Sequence, residues 1–530
     1  MSASPALREP KARANPPLEH NYAVNVALVV LALFPGLINT SAIGLLGPVI
    51  GADLGVRPDA VGRLPLFNDA ALAFGALLAA DLVRFFDARR LFYVLLGVSL
   101  VTSLVSALTT NFALLVGAHI VHGLVAGNLF IVMLPPLVTG FGAKRLGSTA
   151  LVLVPSLFGA ATLGPVLAAL VAAPHAWRAI FGAEVAVAIV TIALAARTLA
   201  ARPPAEPDAR PDWFAHIVSG LAAISIFVGA GGLAGHDWTD LAATIPVAAG
   251  VALFIVLIAG ENFLPHALVP VRGLSMSLAL VGIVATMVGS ACFAALTQAF
   301  ILVLERLHGL DLRATGLAFW PEFFAALLAG AIFGRLVTTR WIAVVGMGGL
   351  GIIGLALVLV LARWPPTAAE VAALTFLAGL GSGCAVTPGL LLVALTYPRR
   401  SVGRALAMLN LLRLTGTYVS GPLAEHSVGS RTRDYFAATR AARHGIDRTV
   451  REFVLYGRVA PGIDRHALQS ALSAGIHDAL VLVLALSCAG LAAIAVLLVR
   501  LHRPLIAPDL SAFDAGGAAL PATTGSRQPR

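Results

Sequence analysis

The sequence predicts an all-α integral membrane protein with fourteen transmembrane helices. Three observations lead there. Of 530 residues, 58% are hydrophobic and only 12% are charged, about half the charged share of a soluble domain. The mean hydropathy is +0.90. The apolar residues come in runs of roughly 20, the length that spans the hydrocarbon core as a helix, and not in the short alternating segments of a barrel. A backbone in lipid must satisfy its own hydrogen bonds, and a helix does so within a single run.

Residues 1–22 form a polar tail carrying Arg8, Lys11 and Arg13. The apolar run that follows is too long for a signal-peptide core and is read as the first span. The spans then lie near 23–50, 62–83, 91–110, 112–134, 148–172, 177–199, 213–234, 241–261, 274–303, 314–338, 341–362, 367–396, 402–424 and 474–500. An even number places both termini on one side. With cytoplasmic termini, 21 Lys and Arg fall inside, and the short external loops hold only Arg57, Arg63, Arg178, Arg306, Arg313 and Arg363. That asymmetry is the positive-inside pattern. Residues 425–473 form a long external loop with eight arginines; a solvated loop and an interfacial amphipathic helix both fit its mix of basic and apolar residues. Residues 501–530, rich in Ala, Gly and Pro, read as a disordered cytoplasmic tail.

The net charge of +10 would suggest nucleic acid in a soluble protein; here it is a topology signal, and no nucleic-acid partner is expected. Cys292, Cys384 and Cys488 all lie inside apolar runs, so no disulfide framework is implied. No phosphate-cradling P-loop is present, and no redox motif or nucleophile–base pair lies at depth. The expectation is no enzyme, no cofactor and no resident metal.

Several motifs, in order along the chain, carry a family likeness. Residues 39–54 read NTSAIGLLGPVIGADL and residues 75–92 read GALLAADLVRFFDARRLF. HIVHGLVAG follows at 119–127, Gly164-Pro165 on span 5, WRAIF at 177–181, GLDLRATGLAFWP at 309–321 and NLLRLTG at 410–416. Together these resemble the major facilitator superfamily, and within it the fourteen-helix drug:proton antiporters. The resemblance implies two six-helix bundles related by a pseudo-two-fold axis, at 23–199 and 274–500. Spans 7–8 and their linkers, 200–273, are then an inserted pair. It implies alternating access around a site near the midplane. It also implies multidrug-type efflux of a small organic compound coupled to protons, a bacterial inner membrane, and a monomer working alone or with accessory export proteins. Import by symport or uniport, and a non-transporting sensor or assembly partner, stay open as alternatives. The departures are pointed: Asn39 stands where exporters of the family carry an acid, His119 where they carry Arg, His122 where they carry Gln, and Glu184 where they often carry Asn.

Charged groups at bilayer depth cost roughly 2.5–3.5 kcal/mol each on insertion scales and are functional candidates by default. At 1.5 Å per residue, Asn39, Asp69, His119, Glu184 and Glu322 fall at similar depths on five different spans, which suggests one shared polar site for substrate or proton. Each has a plainer reading. Asp69 is either the coupling acid or a gate residue bonded to helix 11. Glu184 and Glu322 either act or simply reach external water, and Glu305 is read as solvated. His119 and His122, three apart on one helix face, line the path; as metal ligands they lack a third partner. Arg413, beside Asn410, needs an acidic partner or an anionic substrate. Gly75, Asp81, Arg84, Arg89 and Arg90 resemble the family's cytoplasmic latch, with positive-inside topology as the alternative. Gly159, Gly164 and Pro165 resemble its fifth-helix antiporter motif, where small residues allow close approach.

Overall fold

A computed structural model describes residues 21–199, 204, 211–233, 240–263, 278–397, 401–438, 453 and 464–500. The polar residues between apolar runs start the helices. Asn21, Asp87, Asn111 and Asp311 each accept hydrogen bonds from backbone N–H groups of the first turn that follows, and Thr367 with Glu370 forms a capping box. These side chains satisfy donors that a helix N-terminus leaves orphaned. Gly55, at φ 66°, closes the first helix in the left-handed region.

The first six membrane helices are α1 (Tyr22–Leu54), α2 (Leu64–Phe85), α3 (Ala88–Leu108), α4 (Phe112–Thr139), α5 (Ala143–Leu170) and α6 (Arg178–Thr198). Then come α7 (Trp213–Leu233) and α8 (Leu241–Phe263). The last six are α9 (Leu278–Leu307), α10 (Leu312–Leu336), α11 (Ile342–Ala362), α12 (Ala368–Thr396), α13 (Val402–Ala438) and α14 (Arg465–Arg500). Among the described residues thirteen of these are long and apolar enough to cross a membrane. The fourteenth predicted span is α13, which carries Arg404 and Arg413. Large apolar side chains such as Val94, Leu108, Ile255 and Val499 point outward, as lipid-facing residues do. Packing between the helices therefore falls to small residues.

Helices α1–α6 pack mainly on one another, as do α9–α14. The two sets meet along α5–α10, α2–α13 and where the start of α13 meets the end of α4. Helix α8 packs on α7, and α7 rests on both α2 and α13.

Three expectations need correction. Residues 425–438 continue α13 and residues 465–473 begin α14, so most of the expected loop is shorter at both ends; residues 439–452 and 454–463 lie outside the described residues. So do tails 1–20 and 501–530. The tenth span is not one rod. It breaks at Ala318 and Phe319 and restarts at Trp320, with Pro321 in the first turn, where its missing N–H costs nothing. Helix α5 contains a π-helical stretch at Val154–Gly159 with Pro155 as its second residue, a ring that removes a backbone donor from the ladder.

Candidate functional site

The residues singled out by depth gather in two places. In the first half of the chain, Asn39 on α1 donates from Nδ2 to Glu184 Oε2 on α6 at 2.9 Å. His122 Nε2 on α4 lies 3.2 Å from the other oxygen of Glu184, slightly off the line of a hydrogen bond. All three are buried, at 2%, 5% and 8% exposure. Glu184 therefore does not reach external water, against the plainer expectation. Gly36, one turn before Asn39, makes room: a Cβ there would meet His122 Nε2 at 3.0 Å. His119 lies one turn before His122, edge-on to Phe181 at 5.6 Å, with Nδ1 buried and unpartnered. A carboxyl, an imidazole and an amide from three helices thus share one buried pocket. A carboxylate there is unaffordable without a proton or a cation beside it.

Asp69 stands one step away. Asn68 donates to it at 3.3 Å and to Thr40 of α1 at 2.8 Å. Glu322 is elsewhere, on α10, 1% exposed, with Oε2 buried and unpartnered. It packs at Gly379 of α12, where a Cβ would meet its Cγ at 2.8 Å. The single belt of titratable groups resolves into these separate places, because depth along a helix does not fix which face a residue occupies. Glu305 is not solvated either; its side chain is 12% exposed and pairs with Arg306 at 2.9 Å. Arg413 donates to Asn410 Oδ1 at 2.9 and 3.3 Å.

The latch residues divide. Asp81 pairs with Arg84 at 2.8 Å. Its other oxygen takes His216 Nε2 and the Asp212 backbone N–H, each at 2.9 Å, both from the start of α7. Arg89 lies over the Tyr93 ring, and Arg90 offers its backbone N–H to the Asp87 cap. Gly75 seats α2 on α4: a Cβ there would sit 2.2 Å from Leu124 O. On α5, Gly164 is pressed against Ser41 and Ala42 of α1, Gly159 faces Phe323 and Ala326 of α10, and the Pro165 carbonyl sits where a Cβ on Gly316 would fall.

Sequence reasoning missed a clasp at the end of α1. Asp53 at the end of α1 accepts from Trp177 Nε1 at 2.9 Å and from the Arg178 guanidinium, with His175 against its other oxygen. Arg178 also donates to Thr109 O at 3.1 Å and stacks on Trp177. The WR pair was the available signal; read as a family motif and a loop charge, it did not point to its acid 124 positions upstream.

A bundle of membrane-crossing helices in two halves, with titratable groups buried between helices, is the architecture of a transporter and not of an enzyme. The chain belongs to the Major Facilitator Superfamily, whose profile matches residues 29–417. It is 24% identical over 416 residues to the uncharacterized MFS-type transporter YubD of Bacillus subtilis, a match spanning 74% of this chain and 78% of that one. It is 27% identical to the cephamycin export protein CmcT of Amycolatopsis lactamdurans, across 58% of this chain and 63% of the relative. Among solved structures, the human organic anion transporter MFSD10 superposes with a TM-score of 0.55 at 15% identity, covering 88% of this chain and 99% of that one. That likeness is one of fold.

Proposed function

We propose that this protein is a proton-coupled exporter of a small organic compound, working by alternating access in the plasma membrane with both termini cytoplasmic. The observation that carries the reading is Glu184 held between Asn39 and His122 in a closed pocket. The pair of Glu184 and His122 can hold or release a proton without leaving the bundle, and either change alters the charge buried among α1, α4 and α6. A charge change at that depth is worth several kcal/mol, enough to bias two conformations that differ by a few kcal/mol. The amide of Asn39 takes the place where related exporters carry an acid, so the coupling carboxyl is supplied from α6. Export, rather than import, is supported by the likeness to a named export protein.

Everted membrane vesicles with a pH-sensitive dye test this. After energisation, a panel of cationic, neutral and anionic compounds is added, cephem β-lactams included. Substrate-evoked proton release that falls at least tenfold in Glu184→Gln, with Asp69→Asn as the parallel variant, is the expected result. Full proton release in Glu184→Gln would overturn the assignment of the coupling acid. Substrate flux with no proton signal in the unmodified protein would overturn coupling itself.

A further inference from the structure

Two buried asparagines lie on helices from opposite halves of the molecule, and their hydrogen-bonding capacity is complementary. Asn128 on α4 is 2% exposed and Asn410 on α13 is 1% exposed. The register between their helices is set where Gly403 meets α4: a Cβ on Gly403 would lie 3.6 Å from Ile131 and 3.8 Å from Pro135. Helices α4 and α13, an even and an odd crossing, run antiparallel. Asn410 is two turns beyond Gly403 on the same face, and Asn128 is two turns back from Pro135 on the Ile131 face. Both residues therefore lie about 10 Å along their helices from that contact, at one level.

Each amide has its orientation fixed by its own helix. Asn128 spends Nδ2 on Leu124 O at 2.8 Å, which leaves Oδ1 buried with no donor. Asn410 spends Oδ1 on Arg413, which leaves Nδ2 buried with no acceptor. One helix thus presents an acceptor and the other a donor backed by a guanidinium. Buried groups of this kind are normally paired, and leaving one without a partner is costly.

From this we infer that Asn128 and Asn410, with Arg413, form the polar recognition site for a small acylamino carboxylate or similar compound, with an N–H donor at one end and a carboxylate at the other. The N–H bonds Asn128 Oδ1; the carboxylate takes Asn410 Nδ2 and the Arg413 guanidinium. The site discriminates by leaving a buried partner unmade when either ligand group is missing, which a purely apolar cavity does not do. The inference rests on the transport reading only in placing substrate between the two halves, and not on proton coupling or direction.

Equilibrium binding to the full-length purified protein in nanodiscs separates these. The probes are benzylpenicillin and N-benzoylglycine, each with its methyl ester, together with O-benzoylglycolate, in which an ester oxygen replaces the amide N–H. The acids should bind, the esters and the glycolate should bind at least tenfold more weakly, and Asn128→Leu should erase the preference for the amide over the glycolate. Asn410→Asp keeps the Arg413 contact but replaces the donor by an acceptor; it should lose acid binding while remaining folded, as a size-exclusion profile reports. Gly97→Ala, whose added methyl meets nothing within 4 Å, should bind the acids normally. Absence of binding by both acids, equal binding of acid, ester and glycolate, or unchanged preference in Asn128→Leu would each overturn the inference.

Discussion

At the scale of single residues, the groups proposed to act are buried polar side chains whose partners come from neighbouring helices or are missing. Glu184, Asn128 and Asn410 were placed by the helices around them, and only Glu184 and Asn410 were legible as candidates beforehand. A charged residue in an apolar run stands out because its cost is large; an asparagine does not, because its cost depends on whether it finds a partner. Asp53 was missed for a related reason. It lies at a helix end, where a carboxylate normally meets water, yet its side chain is 3% exposed and depends on Trp177, Arg178 and His175. Removing the indole donor by Trp177→Phe keeps the ring and deletes one hydrogen bond to a buried charge, a loss of about 1–3 kcal/mol. The expected outcome is a lower melting temperature in detergent, read by size-exclusion fluorescence after heating. Phe324→Trp in the same background restores tryptophan content without restoring stability.

At the scale of elements, fold class and span order were legible because lipid leaves the chain few options. The breaks were not. Pro155 and Pro321 each interrupt a helix, while Pro35 and Pro48 sit inside α1 without dividing it; the sequence around them does not say which prolines a neighbouring helix will accommodate. The crossing of α2 and α4 shows how packing is specified instead. A Cβ on Gly123 would fall 2.0 Å from Asn68 O, and one on Gly127 would fall 2.0 Å from Leu72 O. Backbone cannot yield by that much, so the helices must part. Gly123→Ala should therefore destabilise by at least the roughly 1–3 kcal/mol of ordinary overpacking and should disturb Asn68, which bonds Thr40 and Asp69. Gly97→Ala and Gly117→Ala, whose added methyl would meet nothing within 4 Å, are the controls and should change stability by less than about 0.5 kcal/mol. If Gly123→Ala melts with the controls, the close approach does not set this interface.

At the scale of the whole molecule, the inserted helix α7 is more than a spacer. It touches both halves, through α2 and α13, and it grips the latch through His216 and the Asp212 N–H on Asp81. Gly220 seats it against Phe74 of α2, whose ring also meets His216. At the end of the molecule that holds Asp81, the halves meet through Gly147 against Gly334 and Gly403 against α4, close contacts between small residues. The Asp81 cluster joins α2 to α7 at that end, and its part in the balance between states can be tested. Losing one charge-assisted hydrogen bond of about 1.5 kcal/mol shifts a two-state population about tenfold. His216→Leu and Asp81→Asn should each raise the cytoplasm-open fraction, and the double variant should add little, since both break the same contact. Spin labels at Lys144→Cys and Arg340→Cys, with the three native cysteines replaced, would report the change as a longer-distance population in pulsed dipolar spectra. Identical distributions in all four proteins would mean that the His216–Asp81 contact does not set the balance between states, and that the packing between the halves does.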